Sequence, residues 1–424
     1  MNATPATSSN IGQSHARYAD LEAHYRSVRA YSEALAAPLS AEDACIQSMP
    51  DTSPAKWHLA HVTWFFETFV LESAEQAFRP HHPTFRQLFN SYYNDIGAQF
   101  PRPQRGLLTR PTLNEILDYR QAVDRRVLAA MAMADANLLQ VIELGLHHEQ
   151  QHQELLLMDI KHAFSINPLA PAYAPPDAAV AVNPIAATWH EHAGGLVDIG
   201  AAGDAFAFDN ETPRHRAWLE PFALRTLLVS NAEYLAFVED GGYRDPRLWL
   251  ADGWATVNEQ AWQAPLYWRE IYGSWFEFTL HGLAPLDPAA PVCHVSHYEA
   301  DAFAQWSGAR LPTEFEWEAA APAAPADFAS ASSLHPQAAP STAPLADFYG
   351  AVWQWTRSAY LPYPGFAAAA GAVGEYNGKF MSSQVALRGS ACITPPGHAR
   401  ASYRNFYYPH QRWAYGGIRL ARDL

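Results

Sequence analysis

The chain has 424 residues, 49% of them hydrophobic, and a formal charge of −15. That is enough apolar content for two buried cores, and without any Lys/Arg-rich run it argues against a nucleic-acid partner and for small-molecule chemistry. The polar opening MNATPATSSNIGQSHARYAD and the lack of a bilayer-length apolar run imply a cytoplasmic protein with no membrane partner, and three scattered cysteines (Cys45, Cys293, Cys392) indicate neither a disulfide framework nor structural zinc.

Residues 1–17 read as a disordered N-terminus. Over residues 18–165 the apolar spacing is helical. ADLEAHYRSVRAYSEAL puts Leu21, Tyr25, Val28 and Leu35 on one stripe, and DTSPAKWHLAHVTWFFETFVLE opens a second helix on a Ser-Pro start signal. TLNEILDYRQAVDRRVLAAMA repeats the pattern with Leu113, Ile116, Leu117 and Val123, and ELGLHHEQQHQELLLMDIKH lies on a fourth helix. Four long helices in roughly 150 residues suit a bundle. Residues 166–188 hold four prolines between Pro168 and Pro176 and read as a linker. From 189 to 424 the periodicity turns strand-like, with Gly, Pro, Asp and Asn turns and dense aromatics, so the expected class is α followed by a loop-rich α+β domain. A low-complexity stretch inside it, APAAPADFASASSLHPQAAPSTAPL, reads as a surface loop.

The fourth helix carries four histidines between Glu143 and His162. A 3.6-residue period anchored at His148 runs through Val141, Leu144 or Gly145, His152, Leu155 and Asp159. His148 and His152 therefore interrupt an apolar stripe, and an i,i+4 imidazole pair on one helical face can hold a single metal ion inside a bundle. The same spacing also occurs on surfaces and in hydrogen-bonded cores, so spacing alone leaves both readings open. Gln151 shares the face. Glu154 lies about 200° around the helix from His152, which suits an outer-shell role better than ligation. His147 and Gln150 point elsewhere. A third ligand must come from another helix: KWHLAHVTWFFE offers His58 and His61, and His81–His82, in a loop before a proline, are weaker candidates.

Several stretches taken together carry a resemblance. HLAH at 58–61, LFNSYYN at 88–94, PRPQRGLLTRPT at 101–112 and HHEQQHQE at 147–154 resemble the DinB-like four-helix domain of the ergothioneine-biosynthesis sulfoxide synthases. FDNETPRHR at 208–216, PVCHVSHYEADAFAQWSGARLPTEFEWE at 291–318, VWQWTRSAYLPYPGF at 352–366 and SYRNF at 402–406 resemble the formylglycine-generating-enzyme-like, C-type-lectin-like domain of the same family. The resemblance implies a mononuclear non-haem Fe(II) enzyme with three histidine ligands. His148 and His152 match two ligand positions of H-x3-H-x-E, Glu154 its glutamate, and His61 the third ligand; His58 falls where the family varies and is read as packing. The reaction implied is an O2-dependent attachment of sulfur to C2 of hercynine, the trimethylated histidine betaine. Tyr92 and Tyr93 match tyrosines implied as proton donor and positioning partner. Gln151 would meet the hercynine ring, and Asn405 and Phe406 its quaternary ammonium, with Trp413 as a further aromatic face. Arg102 and Arg105 would hold the donor's carboxylate.

The C-terminal segment departs from the sulfoxide-synthase pattern: SSQVALRGSAC at 382–392 and RNFYYPHQRWAYGG at 404–417 carry Tyr407, Tyr408, His410, Ala414 and Tyr415 at unusual positions. A related branch, the selenoneine synthases, joins hercynine to selenium from a selenosugar, whose hydroxyls suit added Tyr and His partners. The expectation leans to the selenosugar, with cysteine or γ-glutamylcysteine as the alternative thiol amino acid donor. Rival readings are a zinc-dependent thiol transferase, a formylglycine-generating enzyme, disfavoured because only Cys392 lies in the last hundred residues, and a non-catalytic lectin-type module.

Overall fold

The computed structural model describes residues 8–176, 186–322, 333–338 and 345–424. The chain divides into two compact units, Met1–Ala163 and Phe164–Leu424.

The first unit is helical. Helix α1 (Ser8–Ala36) begins inside the stretch 1–17 whose composition reads as disordered. A polar run free of proline extends the helix backward from the amphipathic segment that follows, and residues 1–7 lie outside the described residues. Helix α2 (Ala55–Phe65) starts directly after Pro54 and continues through a π-helical turn, Phe66–Leu71, into α3 (Glu72–Ala74). The short α4 (Phe85–Leu88) precedes α5 (Leu113–Met131), whose start is fixed by a Thr112–Glu115 capping box. Helix α6 (Ala136–Ser165) carries the histidine-rich stretch. From Gly145 to Ser165 almost every α6 residue is buried or half-buried, so its polar side chains must find partners inside the protein.

The second unit mixes small sheets with helices. Strands β1 (Trp189–His192), β2 (Gly195–Ile199), β3 (His215–Leu219) and β4 (Phe222–Arg225) open it, followed by α7 (Asn231–Glu239) and α8 (Ala251–Gln260). Strands β5 (Trp268–Ile271), β6 (Ser274–Thr279) and β7 (Gly282–Pro285) form a meander ahead of α9 (His297–Trp306) and α10 (Glu314–Ala320). The chain ends with β8 (Trp353–Ala359), β9 (Val385–Gly389), β10 (Asn405–Tyr407), β11 (Gly416–Gly417) and β12 (Ala421–Asp423). The orders β1-β4-β12 and β10-β9-β8-β11 join strands far apart in sequence. Their core includes Leu219, Phe222, Leu224, Trp317 and Phe348. Part of the expected linker packs on this unit, Tyr173 and Ala174 donating backbone N–H groups to the Leu280 carbonyl at 2.8 and 3.1 Å. Among the described residues no helix is long and apolar enough to cross a membrane.

Candidate metal centre

Helix α2 supplies His61 and helix α6 supplies His148 and His152, and the ligand-capable nitrogens of the three lie within 4.8 Å of one another. Gly145, one turn before His148, lets the two helices approach: a Cβ there would stand 2.7 Å from the Phe66 ring and 2.9 Å from Phe65. The ring centroids are 5.0 Å apart for His61 and His148, and 4.7 Å for both other pairs.

His61 is fully buried and stacked with two indoles, Trp57 at 4.7 Å and Trp64 at 5.5 Å. Its Nδ1–H donates to the Phe89 carbonyl at 2.6 Å, which fixes the tautomer and leaves Nε2, buried and without a hydrogen-bond partner, as the free lone pair. Phe65 packs 4.9 Å from the His148 ring. Burial, reinforced by the neighbouring imidazole of His148, pushes the pKa values of His61 and His152 well below the usual histidine range, and burial pushes His148 down to about 3. All three are therefore neutral, the protonation state in which imidazole binds a metal. A buried Nε2 lacking a partner, two further neutral imidazoles and no carboxylate in the group fit a resident three-histidine metal ion.

Behind the group, Glu149 is fully buried, accepting from Arg29 at 2.7 Å, Arg120 at 3.0 Å and Ser32 at 2.6 Å. Burial alone would raise its pKa; the two guanidinium groups outweigh that and hold the carboxyl below the usual range. Gln153 donates to the Val28 carbonyl at 2.8 Å and to Ser32 at 2.9 Å. The polar residues of α6 that face away from the histidines thus bind the helix to α1 and α5.

Glu154 is buried and Gln151 half-buried on α6. The rings of Tyr92 and Tyr93 stack at 4.5 Å with their hydroxyls 3.4 Å apart, and buried Tyr93 packs 5.6 Å from Trp64. Arg105 is buried, its guanidinium 3.4 Å over the Trp57 ring and donating to Ser53 Oγ at 2.9 Å; burial lowers its pKa to about 8. Exposed Arg102 donates to the Asp51 carbonyl. His81 and His82 lie in a loop against Phe85, outside the three-histidine group. In the second unit, Asn405, Phe406 and Tyr407 form β10; Phe406 stacks on Tyr360 at 4.2 Å, and Trp413 meets Tyr407 edge-on at 5.7 Å.

One reading is overturned. His58 is not mere packing: its Nδ1 lies 2.8 Å from Nδ1 of His152 and its Nε2 3.0 Å from Asp159 Oδ2. Asp159 also accepts the Ser53 backbone N–H at 2.7 Å. Asp159 shares the helical phase of His148 and His152, which marks the face the carboxylate occupies, though not that His58 meets it.

The DinB superfamily model matches residues 24–156, and the sulfatase-modifying factor enzyme 1-like domain matches 191–340 and 329–424. A helical DinB unit with a three-histidine group, followed by such a domain, defines the class. Hercynine oxygenase of Mycolicibacterium thermoresistibile is 30% identical over 88% of this chain and 88% of its own, and that of Mycobacterium tuberculosis 29% identical over 90% and 94%. The formylglycine-generating enzyme of Streptomyces coelicolor is 36% identical over 30% of this chain and 45% of its own. The chain belongs to the hercynine oxygenase family, and is accordingly an oxidoreductase acting on small molecules.

Proposed function

We propose that this protein is a non-haem Fe(II), dioxygen-dependent enzyme that forms a carbon–chalcogen bond at imidazole C2 of hercynine, with a selenosugar as the chalcogen donor. The observation that carries the iron reading is the group of three imidazoles, His61 and His148 buried and His152 half-buried, whose ligand-capable nitrogens lie within 4.8 Å of one another with no carboxylate among them. Iron held by His61, His148 and His152 would supply the redox chemistry for dioxygen and a Lewis-acid site for a chalcogen anion.

This chain's side chains do the rest. Phe89 and the two indoles hold the His61 ring in one orientation. Tyr92 and Tyr93, paired through their hydroxyls, are proposed as the proton donor and its positioning partner; the packing of Tyr93 on Trp64, which itself stacks on His61, supports that role. Gln151 is proposed to bond the hercynine ring, and Glu154 to support the ligand helix. In the second unit, Asn405, Phe406 and Trp413 are proposed to offer an amide and aromatic faces to a quaternary ammonium, with Tyr407 as a hydroxyl partner.

The donor choice draws on the C-terminal segment. Arg105 donates to Ser53 and Arg102 to Asp51 through one nitrogen each, contacts that leave both guanidinium groups further N–H donors for a carboxylate. The Tyr407 and Tyr408 hydroxyls and the His410 imidazole suit hydrogen bonding to a sugar. A second reading, a thiol amino acid donor giving a hercynine sulfoxide, is favoured by the names of the relatives, hercynine oxygenase and ergothioneine biosynthesis protein 1. Incubating the full-length Fe(II) protein in air with hercynine plus a selenosugar, cysteine or γ-glutamylcysteine, and weighing the products by mass spectrometry, separates them. A selenium-bearing hercynine is the expected product. Turnover with thiols alone ends the selenium reading, and activity that needs zinc and no oxygen would instead mark a thiol transferase.

A further inference from the structure

The chain Asp159–His58–His152 has a proton pattern that follows from the acceptor at its end. Asp159 Oδ2 only accepts, so the His58 Nε2 that lies 3.0 Å away carries a hydrogen. With the ring's hydrogen on Nε2, His58 has Nδ1 as its acceptor, and in the 2.8 Å contact to Nδ1 of His152 it is His152 that donates. That leaves the Nε2 of His152 bearing a lone pair. The opposite assignment, His58 donating from Nδ1, would put the hydrogen of neutral His152 on Nε2 and remove it as a ligand. Asp159 is itself fixed by the Ser53 backbone N–H at 2.7 Å, just before α2, and both His58 and Asp159 are buried. His61 shows the same logic with a different partner, a backbone carbonyl on Nδ1. Of these two ligand candidates, only His152 is backed by a carboxylate, through a second imidazole.

We propose that His58, with Asp159 behind it, is a positioning residue for the metal centre. It locks His152 in the Nδ1–H tautomer, orients the ring, and makes its Nε2 a stronger donor by leaning the negative charge of Asp159 on the far side. The proposal rests on the reading that His61, His148 and His152 hold a metal ion.

The test is metal affinity of the full-length protein, measured by chelator competition with Fe(II) under anaerobic conditions and with Co(II), whose visible spectrum reports ligand geometry. His58→Phe fills the space and removes both hydrogen bonds; His58→Asn keeps an acceptor that can take the His152 hydrogen. The expected result is a roughly 10–100-fold weaker affinity and a changed Co(II) spectrum for His58→Phe, with part of the loss recovered in His58→Asn. Affinity within threefold of the parent and an unaltered spectrum in His58→Phe overturn the proposal. So does an equal loss in both variants, which would make packing the cause. The parent and His148→Ala serve as references: if the parent binds no ion that His148→Ala loses, the metal reading itself fails, independently of His58.

Discussion

Glu149 follows a candidate ligand directly in sequence yet belongs to a different network. Its carboxylate sits at zero exposure between Arg29 and Arg120, and both guanidinium groups are nearly or fully buried. Removing one partner from such a cluster strands the others without water. Glu149→Gln is therefore expected to destabilise the protein by about 3–5 kcal/mol, read from urea unfolding of the full chain; a loss below about 1 kcal/mol would mean that solvent reaches the guanidinium groups. At this scale the sequence was legible only where local spacing carries the information. His148 and His152 follow from an i,i+4 pattern, whereas spacing left His58 and His61 undecided and only the family resemblance separated them. The roles of His58 and Arg105 were hidden because their partners are set by tertiary packing: His58 reaches across to α6, and Arg105 to Ser53 and Trp57. In its Pro- and Gly-rich segment Arg105 reads as a partner for the donor's carboxylate, and burial against an indole leaves no local mark.

Helix α2 and helix α6 meet where one contributes aromatic bulk and the other no side chain at all. The π-helical turn Phe66–Leu71 follows His61 by one turn, and such turns occur often at functional sites. A 3.6-residue reading saw a single helix there, since the extra residue of a π turn changes no residue type. Gly145 faces Phe65 and Phe66 at distances that leave no room for a methyl group. Gly145→Ala is thus a contest between two terms. Alanine gains about 1 kcal/mol of helix propensity, while forcing apart a packed interface costs about 1–3 kcal/mol. The aromatic rings are held by further rings, Phe65 by Phe69 and Phe66 by Tyr25, so the interface cannot easily give. The expected outcome is a net loss of stability together with weaker metal binding, because the separation of α2 from α6 sets the spacing of His61 from His148. A variant that is more stable and binds metal as before would show that the helices have slack.

The two units were visible in the sequence as a change of periodicity around a proline-rich segment, because a bundle and a loop-rich α+β domain need different spacings of apolar residues. Strand pairing in the second unit was not visible: β12 pairs with β4 and β11 with β8, and such non-local registers leave no short-range pattern. In the helical unit, the three histidines draw together two segments far apart in the chain, so an ion bound there acts as a cross-link that exists only in the folded state. Binding of that kind raises stability by RT ln(1 + [L]/Kd), roughly 2.7 kcal/mol at a free ion concentration one hundred times Kd. Removing metal from the full-length protein with a chelator should therefore lower its melting midpoint, and adding Fe(II) without air, or Co(II), should restore it. His148→Ala should melt at one temperature under all three conditions, since two imidazoles hold the ion too weakly to matter at the same concentration. A metal-dependent shift that persists in His148→Ala would place the stabilising ion outside this group, whereas its loss there ties the stability of the folded chain to the same three imidazoles proposed to hold iron.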